Sequence, residues 1–129
     1  MNATGAVFQI VIHGRGGHAS HPHLTVDPIA IGAQLIGALQ RLVARETDAM
    51  APAVVTVSGF HAGDGIAVIP ARAELRGTIK AFSHDVRDAL VERLDALVRG
   101  IASAMRAEVD VVFEPGYPVN SNVCVLVLS

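Results

Sequence analysis

Residues 71–82 read Ala-Arg-Ala-Glu-Leu-Arg-Gly-Thr-Ile-Lys-Ala-Phe, and this alternation of small or apolar with polar side chains decides the fold. A period of two predicts a β-strand with one face packed on a core and the other open to water or ligand. The open face would carry the side chains of Arg72, Glu74, Arg76, Thr78 and Lys80.

Three further strands are predicted around this one. Ala6–His13 is rich in β-branched residues and stops at a glycine, which is typical of a strand end. Ala53–His61 has the same character, and a glycine-bearing turn joins it to residues 71–82, so these two strands should pair like a hairpin. The last predicted strand is Glu108–Phe113.

Two amphipathic helices separate the strands. Asp27 is a predicted N-cap, with Pro28 at the first position of a helix that runs to about Arg45. Ser83 is the predicted cap of a second helix that runs to about Ala107. The second helix has one apolar stripe, made of Val86, Leu90, Leu94, Leu97, Ile101 and Met105. The first helix has two neighbouring stripes, made of Ile31, Leu35, Leu39 and Leu42 and of Ile29, Ala33 and Ile36. An apolar surface this wide predicts a second buried contact besides the sheet.

The element order is therefore βαββαβ. This order predicts an α+β sandwich of ferredoxin-like type, in which a four-stranded antiparallel sheet carries two helices on one face. The length of 129 residues fits a single domain, residues 1–129.

Composition excludes several partners and compartments. The net charge of −2 gives no reason to expect nucleic acid or an acidic membrane surface, and no apolar stretch approaches the ~20 residues of a membrane span. The single cysteine, Cys124, cannot form an internal disulfide and lies in an apolar tail where it should be inert. We expect a cytoplasmic protein.

The segment Gly14–His23 holds three glycines and three histidines in ten residues. Glycine allows close backbone approach, and histidine is the side chain most useful for chemistry near neutral pH, so His18 is a candidate functional residue. A small metalloenzyme built on His18, His21 and His23 is one alternative, but Pro22 stiffens the segment and Asp27 is needed as a helix cap. We therefore predict no metal ligand in this chain. His13, His61 and His84 fit solvated polar positions.

The segment Gly14–Pro28 resembles the lid-loop motif of the M20 metallopeptidase and amidohydrolase family, in the branch of hippurate hydrolases and indole-acetyl-amino-acid hydrolases. The resemblance extends from about Ala6 to Pro118. Its further motifs are, in order, Pro52–Val57, Phe60–Gly63, Val68–Pro70, Ala73–Phe82 and Gly116–Pro118.

The resemblance implies a dimerisation (lid) domain that is inserted into a larger zinc-binding catalytic domain. The metal-binding segments of that catalytic domain have no counterpart in this chain. The resemblance therefore implies that zinc or another divalent metal binds in the catalytic domain and that this chain holds no cofactor. The implied parent reaction is hydrolysis of N-acyl amino acids or related amides by a homodimer. The chain alone is not expected to turn over substrate.

Three positions acquire implied roles from the resemblance. His18 matches a lid histidine that reaches the partner subunit's active site and hydrogen-bonds the scissile carbonyl. Lys80 falls where relatives carry an arginine that binds the substrate carboxylate, and Ala67 falls where they usually carry a substrate-contacting asparagine. The alternative is a free-standing ferredoxin-like module that self-associates or binds a small ligand without catalysis.

Overall fold

The computed structural model of the protein describes residues 3–115 and 126–128, the last three through their backbone alone. A 3-10 turn, Pro22–Leu24, precedes the first of two helices. The helices and strands are β1 (Thr4–His13), β2 (Gly17–His18), α1 (Pro28–Glu46), β3 (Ala53–Ala62), β4 (Val68–Ile69), β5 (Arg72–Ala81), α2 (His84–Ala104), β6 (Glu108–Pro115) and β7 (Leu126–Leu128).

The main sheet is antiparallel and has the strand order β3-β5-β1-β6-β7. Its four long strands and the two helices confirm the predicted ferredoxin-like α+β sandwich, including the pairing of β3 with β5. The sequence does not predict the three-residue strand β7, which pairs with β6, or the two-residue strands β2 and β4, which form a separate ladder.

Strand β5 has the predicted two-faced character. Ala73, Leu75 and Ile79 are buried, whereas Arg72 and Lys80 on the opposite face are exposed. Strand β1 runs beside β5 with the same alternation and contributes its own buried residues, Ala6, Phe8, Ile10 and Ile12. Both helices pack their apolar stripes on this buried face, in one continuous core.

Helix α1 begins as predicted. The Asp27 carboxylate accepts the backbone N–H of Ile29 at 2.9 Å, which satisfies a free donor of the first turn. The first apolar stripe is fully buried: Ile31, Leu35, Leu39 and Leu42. Of the second stripe, Ile29 and Ala33 are exposed, whereas Ile36 is partly buried and packs against the core.

Helix α2 differs from the prediction in its end and in its buried face. It ends at Ala104, three residues before Ala107, because Arg106 takes a positive φ of 69° and the Ala107 N–H bonds the Ala102 carbonyl at 2.8 Å. Val86, Leu97, Ile101 and Met105 of the predicted stripe are only partly buried. Besides Leu90 and Leu94, the buried residues of the helix are Val91, Val98 and Ala102. Adjacent apolar positions such as 97 and 98 give the sequence no basis for choosing the innermost one.

Glu46 links the two helices at their outer surface. Its carboxylate accepts hydrogen bonds from Arg93 Nε of α2 and Arg41 Nη1 of α1, each at 2.8 Å. The hydrogen bond from Arg93, reinforced by the positive charges of Arg93 and Arg41, lowers the pKa of Glu46 against the opposing effect of desolvation.

We expect Glu46→Gln to lower the melting temperature near neutral pH and to have less effect in acid. A carboxyl whose pKa is lowered by folding stabilises the protein at every pH above its ordinary pKa of 4.5. This contribution is lost as the pH falls through the lowered pKa of the folded protein. Thermal unfolding followed by circular dichroism from about pH 7 to about pH 3 measures the difference. Glu92→Gln, which removes the same charge at an exposed position of α2, is the control. A gap between wild type and Glu46→Gln that stays constant over this range would contradict the expectation.

Candidate functional site

The glycine- and histidine-containing loop leaves the sheet at the end of β1 and is held by its own chain. Gly14 donates its N–H to the Ala71 carbonyl at 2.8 Å, and Arg15 and Val26 exchange two backbone hydrogen bonds of 2.9 and 3.0 Å. A Cβ at Gly14 would overlap the Val26 carbonyl oxygen, and one at Gly16 would lie 2.5 Å from the Ile69 carbonyl oxygen. These two glycines therefore let neighbouring backbone segments pack directly against the loop.

His18 lies on the short ladder that this bracing creates. Strand β2 pairs with β4 so that His18 is opposite Val68, and the Ala19 N–H donates to the Ala67 carbonyl at 3.0 Å. The ladder brings the segment around Ala67 to the side of His18. Sequence analysis missed this contact, because two-residue strands carry no detectable periodicity.

The His18 ring is exposed, and one of its nitrogens is occupied by the loop itself. Its Nδ1 accepts the backbone N–H of Ser20 at 3.0 Å. An Nδ1 that accepts a hydrogen bond carries no proton, so the neutral ring has its proton on Nε2. The loop thus presents an Nε2–H donor, which suits a carbonyl oxygen or an oxyanion. Ser20 takes part in this contact through its backbone.

The other two loop histidines are near His18. The ring centroids of His18 and His21 are 5.8 Å apart, and those of His21 and His23 are 6.1 Å apart. Among residues 3–115 and 126–128, no three His, Cys, Asp or Glu side chains are placed to hold a metal ion together.

Lys80 lies at the opposite end of the sheet from His18. The loop follows His13, which is opposite Arg72 at the start of β5, whereas Lys80 is opposite Gly5 near the start of β1. Eight residues of extended chain separate Arg72 from Lys80, which corresponds to about 26 Å. One chain therefore does not bring His18 and Lys80 to the same small substrate.

The remaining predicted positions fall away from this loop. His13 Nε2 is 2.8 Å from Asp110 Oδ2 in an exposed hydrogen bond across β1 and β6, and His84 Nδ1 is 3.3 Å from Thr4 Oγ1. His61 is exposed on β3. Cys124 and the motif Gly116–Pro118 lie outside the described residues.

The fold is a two-layer α+β sandwich with a braced loop at one end of the sheet, and Ile29 and Ala33 of α1 are exposed on its outer surface. Residues 3–117 match the family model described as the peptidase dimerisation domain. The chain belongs to this family, the dimerisation domain of the M20 amidohydrolases and peptidases, which confirms the resemblance identified from the sequence.

Relatives of known name support this assignment. The N-acyl-L-amino acid amidohydrolase of Geobacillus stearothermophilus is 39% identical over 110 residues, which cover 85% of this chain and 30% of the relative. Thermostable carboxypeptidase 2 of Saccharolobus solfataricus is 37% identical over 121 residues, covering 93% and 31%. The structure of the Bacillus subtilis YXEP protein, a dinuclear metal binding peptidase from the M20 family, superposes with a TM-score of 0.67 at 31% identity, covering 88% and 26%.

The chain thus spans less than a third of the length of these relatives. Neither helix in the described part of the chain is long and apolar enough to cross a membrane.

We expect nitrogen-15 NMR of the neutral protein to show His18 as the Nε2–H tautomer. The Ser20 N–H donates to Nδ1 and so excludes a proton from that nitrogen. Long-range proton–nitrogen correlation spectra distinguish the two ring nitrogens directly. In Ser20→Pro, which has no backbone N–H, the preference should weaken, whereas Ser20→Ala should retain it. A predominant Nδ1–H form in the wild-type protein would contradict this geometry.

Proposed function

We propose that this chain is the dimerisation and lid domain of a zinc-dependent amidohydrolase that hydrolyses N-acyl amino acids or related amides. The observation that carries the proposal is an exposed His18 whose Nδ1 is occupied by the Ser20 N–H and whose Nε2–H is available to a substrate oxygen. Family membership, and a relative named as an N-acyl-L-amino acid amidohydrolase, support the reaction class.

His18 would act as an electrostatic residue. Its Nε2–H would donate a hydrogen bond to the scissile carbonyl and a stronger one to the oxyanion that develops in the transition state. Divalent metal ions bound by a catalytic domain would supply the nucleophile. The backbone hydrogen bonds of Gly14, Arg15 and Ala19 would hold the loop that presents this donor.

The positions of His18 and Lys80 favour roles in two different active sites of the dimer. Strand β1 begins, and β6 ends, at the same end of the sheet as Lys80, since Ala6 is opposite Pro115 and Gly5 is opposite Lys80. A catalytic domain joined through these strand ends would lie close to Lys80 and roughly 26 Å from the His18 end. We therefore assign Lys80 to the substrate carboxylate in its own subunit and His18 to the active site of the partner. Lysine supplies the charge for this role but not the planar bidentate fork of an arginine.

The outer surface of α1 and the adjoining strand β3 form the proposed contact with a second copy. Ile29 of α1 is 39% exposed, and Phe60, whose ring lies against Gly32, is 36% exposed. Strand β3 is the edge of the described sheet, so its outer backbone groups are available to pair with the same strand of a copy. In a two-fold symmetric dimer, the β3 edges of the two copies would pair to form one continuous sheet. The same contact would cover the exposed residues of the second apolar stripe of α1. The net charge of −2 gives no electrostatic reason to expect nucleic-acid or acidic-membrane partners, and we propose a cytoplasmic dimer.

Subunit complementation tests the action of His18 in trans. Residues 3–115 replace the matching segment of the Geobacillus stearothermophilus amidohydrolase, and two variants of this hybrid are prepared. One carries His18→Ala, and the other keeps His18 but has an inactivated catalytic domain. Each variant alone should lose at least about 10²-fold in kcat, the usual effect of removing an oxyanion donor. A one-to-one mixture of refolded subunits should recover about a quarter of the wild-type activity, since half of the dimers contain one complete site.

His21→Ala, which changes a neighbouring exposed histidine, is the control and should stay active alone. An active His18→Ala homodimer would refute the catalytic assignment. A mixture that stays inactive, although it forms mixed dimers, would place His18 in the active site of its own subunit. A hybrid that dimerises but whose hydrolysis does not depend on His18 would favour the free-standing association module.

Lys80→Met in the same hybrid should raise KM about tenfold for N-acyl amino acids and change kcat little, since the charge contributes binding energy rather than transition-state stabilisation. Steady-state kinetics with a matched N-acyl amino acid amide, which lacks the carboxylate, should show no such increase. Lys80→Arg should keep the KM at the wild-type value or lower it, because guanidinium binds carboxylate in a bidentate manner. Equal effects on the acid and on the amide substrate would count against a carboxylate contact.

A further inference from the structure

Strand β6 is paired on both of its sides. It pairs with β1 along its whole length, and on the other side it pairs with β7 over Val111–Phe113 alone. Without β7, the outer N–H and C=O groups of β6 would form an open edge of the described sheet. Open edges pair readily with other extended segments, and proteins usually cover or charge them. The three residues of β7 therefore occupy a position at which a strand can be added to this sheet.

The register of β7 suits the buried residues of β6. Val111 and Phe113 belong to the hydrophobic core, and the residues opposite them are Leu128 and Leu126. Directly opposed residues of an antiparallel pair lie on the same face of a sheet. A segment that is added to this edge therefore needs apolar residues at alternate positions, and β7 has leucine at both of them.

The two partner segments differ in charge. Residues 123–128 read Val-Cys-Val-Leu-Val-Leu, a run with high β-propensity and without charge, proline or glycine. Strand β6 carries acidic residues on either side of its paired centre, at Glu108, Asp110 and Glu114. Like charges that lie opposite each other in a sheet repel. The β6 edge thus favours an apolar extended segment that has no acidic residue.

We infer that the outer edge of β6 is a strand-accepting site for an extended apolar peptide, and that Leu126–Leu128 fills this site within its own chain. Added strands are held by backbone hydrogen bonds, while alternate side chains provide selectivity. Residues 116–125 connect β6 to β7, and a connection this short gives the tethered segment an effective concentration on the order of 1 mM. A free peptide must compete with this segment, so β7 keeps other chains off the β6 edge.

Occupancy of this site bears on how copies of the chain associate. A sheet with two open edges can pair with a further copy on each side, and such head-to-tail contacts produce open chains of molecules. The edges of the described sheet are β3, which is ten residues long, and β7, which is three residues long. Very short edge strands offer few free backbone groups. The pairing of β7 therefore confines edge-to-edge association to β3.

The test uses the full 129-residue chain and the synthetic peptide Lys-Val-Ser-Val-Leu-Val-Leu-Lys, in which serine replaces the cysteine and the two lysines provide solubility. Val127→Pro removes one backbone N–H of β7 and disfavours strand pairing. Leu128→Pro, at the last residue of β7, is a second variant of the same kind. Val127→Thr keeps the N–H and the β-branched shape, and is the matched control.

Hydrogen exchange followed by NMR measures the occupancy of the site. The informative amides are those of Val111–Phe113 that point away from β1, and the amides of Phe8 and Ile10 in β1 report whether the core stays folded. We expect the β6 amides to exchange about tenfold faster in Val127→Pro and Leu128→Pro, with no change in Val127→Thr or at Phe8 and Ile10.

The peptide should slow this exchange again in Val127→Pro and should bind the wild-type chain about tenfold more weakly. This factor follows when a tether of about 1 mM competes with a peptide that binds at about 0.1 mM. A peptide with proline in place of its central valine has the same charge and should bind neither chain.

Three results would overturn the inference. They are unchanged exchange of the β6 amides in both proline variants, equal affinity of the peptide for the wild-type and Val127→Pro chains, and equal binding of the proline-containing peptide. Protection of the β6 amides that falls when the wild-type chain is diluted would show that the added strand comes from a second copy, and would overturn its assignment to the same chain.

Discussion

Burial of alternate side chains along β1 and β5 is the constraint on which the rest of the structure depends. These two strands lie next to each other in the middle of the sheet, and their inward residues form the floor on which both helices pack. Because a strand has a period of two, slipping the register by one residue would turn each apolar side chain toward water. The core therefore fixes the register, and the register fixes which residues lie at each end of the sheet.

The loop that carries His18 gains its order from backbone contacts, while its side chains remain exposed. Gly14 and Gly16 let the loop lie directly against Val26 and Ile69, where any side chain would collide with a carbonyl oxygen. The Ser20 N–H then orients the imidazole. A loop braced in this way can hold a donor in place at the surface without burying polar groups that would need compensation.

Much of this fold can be predicted from the sequence, because the signals are local and strong. The alternation in residues 71–82 and the caps Asp27 and Ser83 each specify an element without reference to the rest of the chain. The stripe predicted for α2 packs against the core, but the sequence did not identify Val91, Val98 and Ala102 as buried members, because apolar residues occupy neighbouring positions and only packing selects among them. The site was predictable as a candidate histidine in a glycine-rich loop. Its neighbour Val68 was not, because a two-residue ladder between distant segments leaves no periodic trace.

The separation of His18 from Lys80 by the length of the sheet has a consequence for how such an enzyme would depend on its own concentration. If His18 and Lys80 of one subunit contribute to different active sites, a single subunit contains no complete active site. Catalytic capacity would then be a property of the pair, and specific activity would fall on dilution below the dissociation constant of the dimer. Any small molecule or sequence change that weakens the α1 and β3 surface would act as an inhibitor without approaching the reacting atoms.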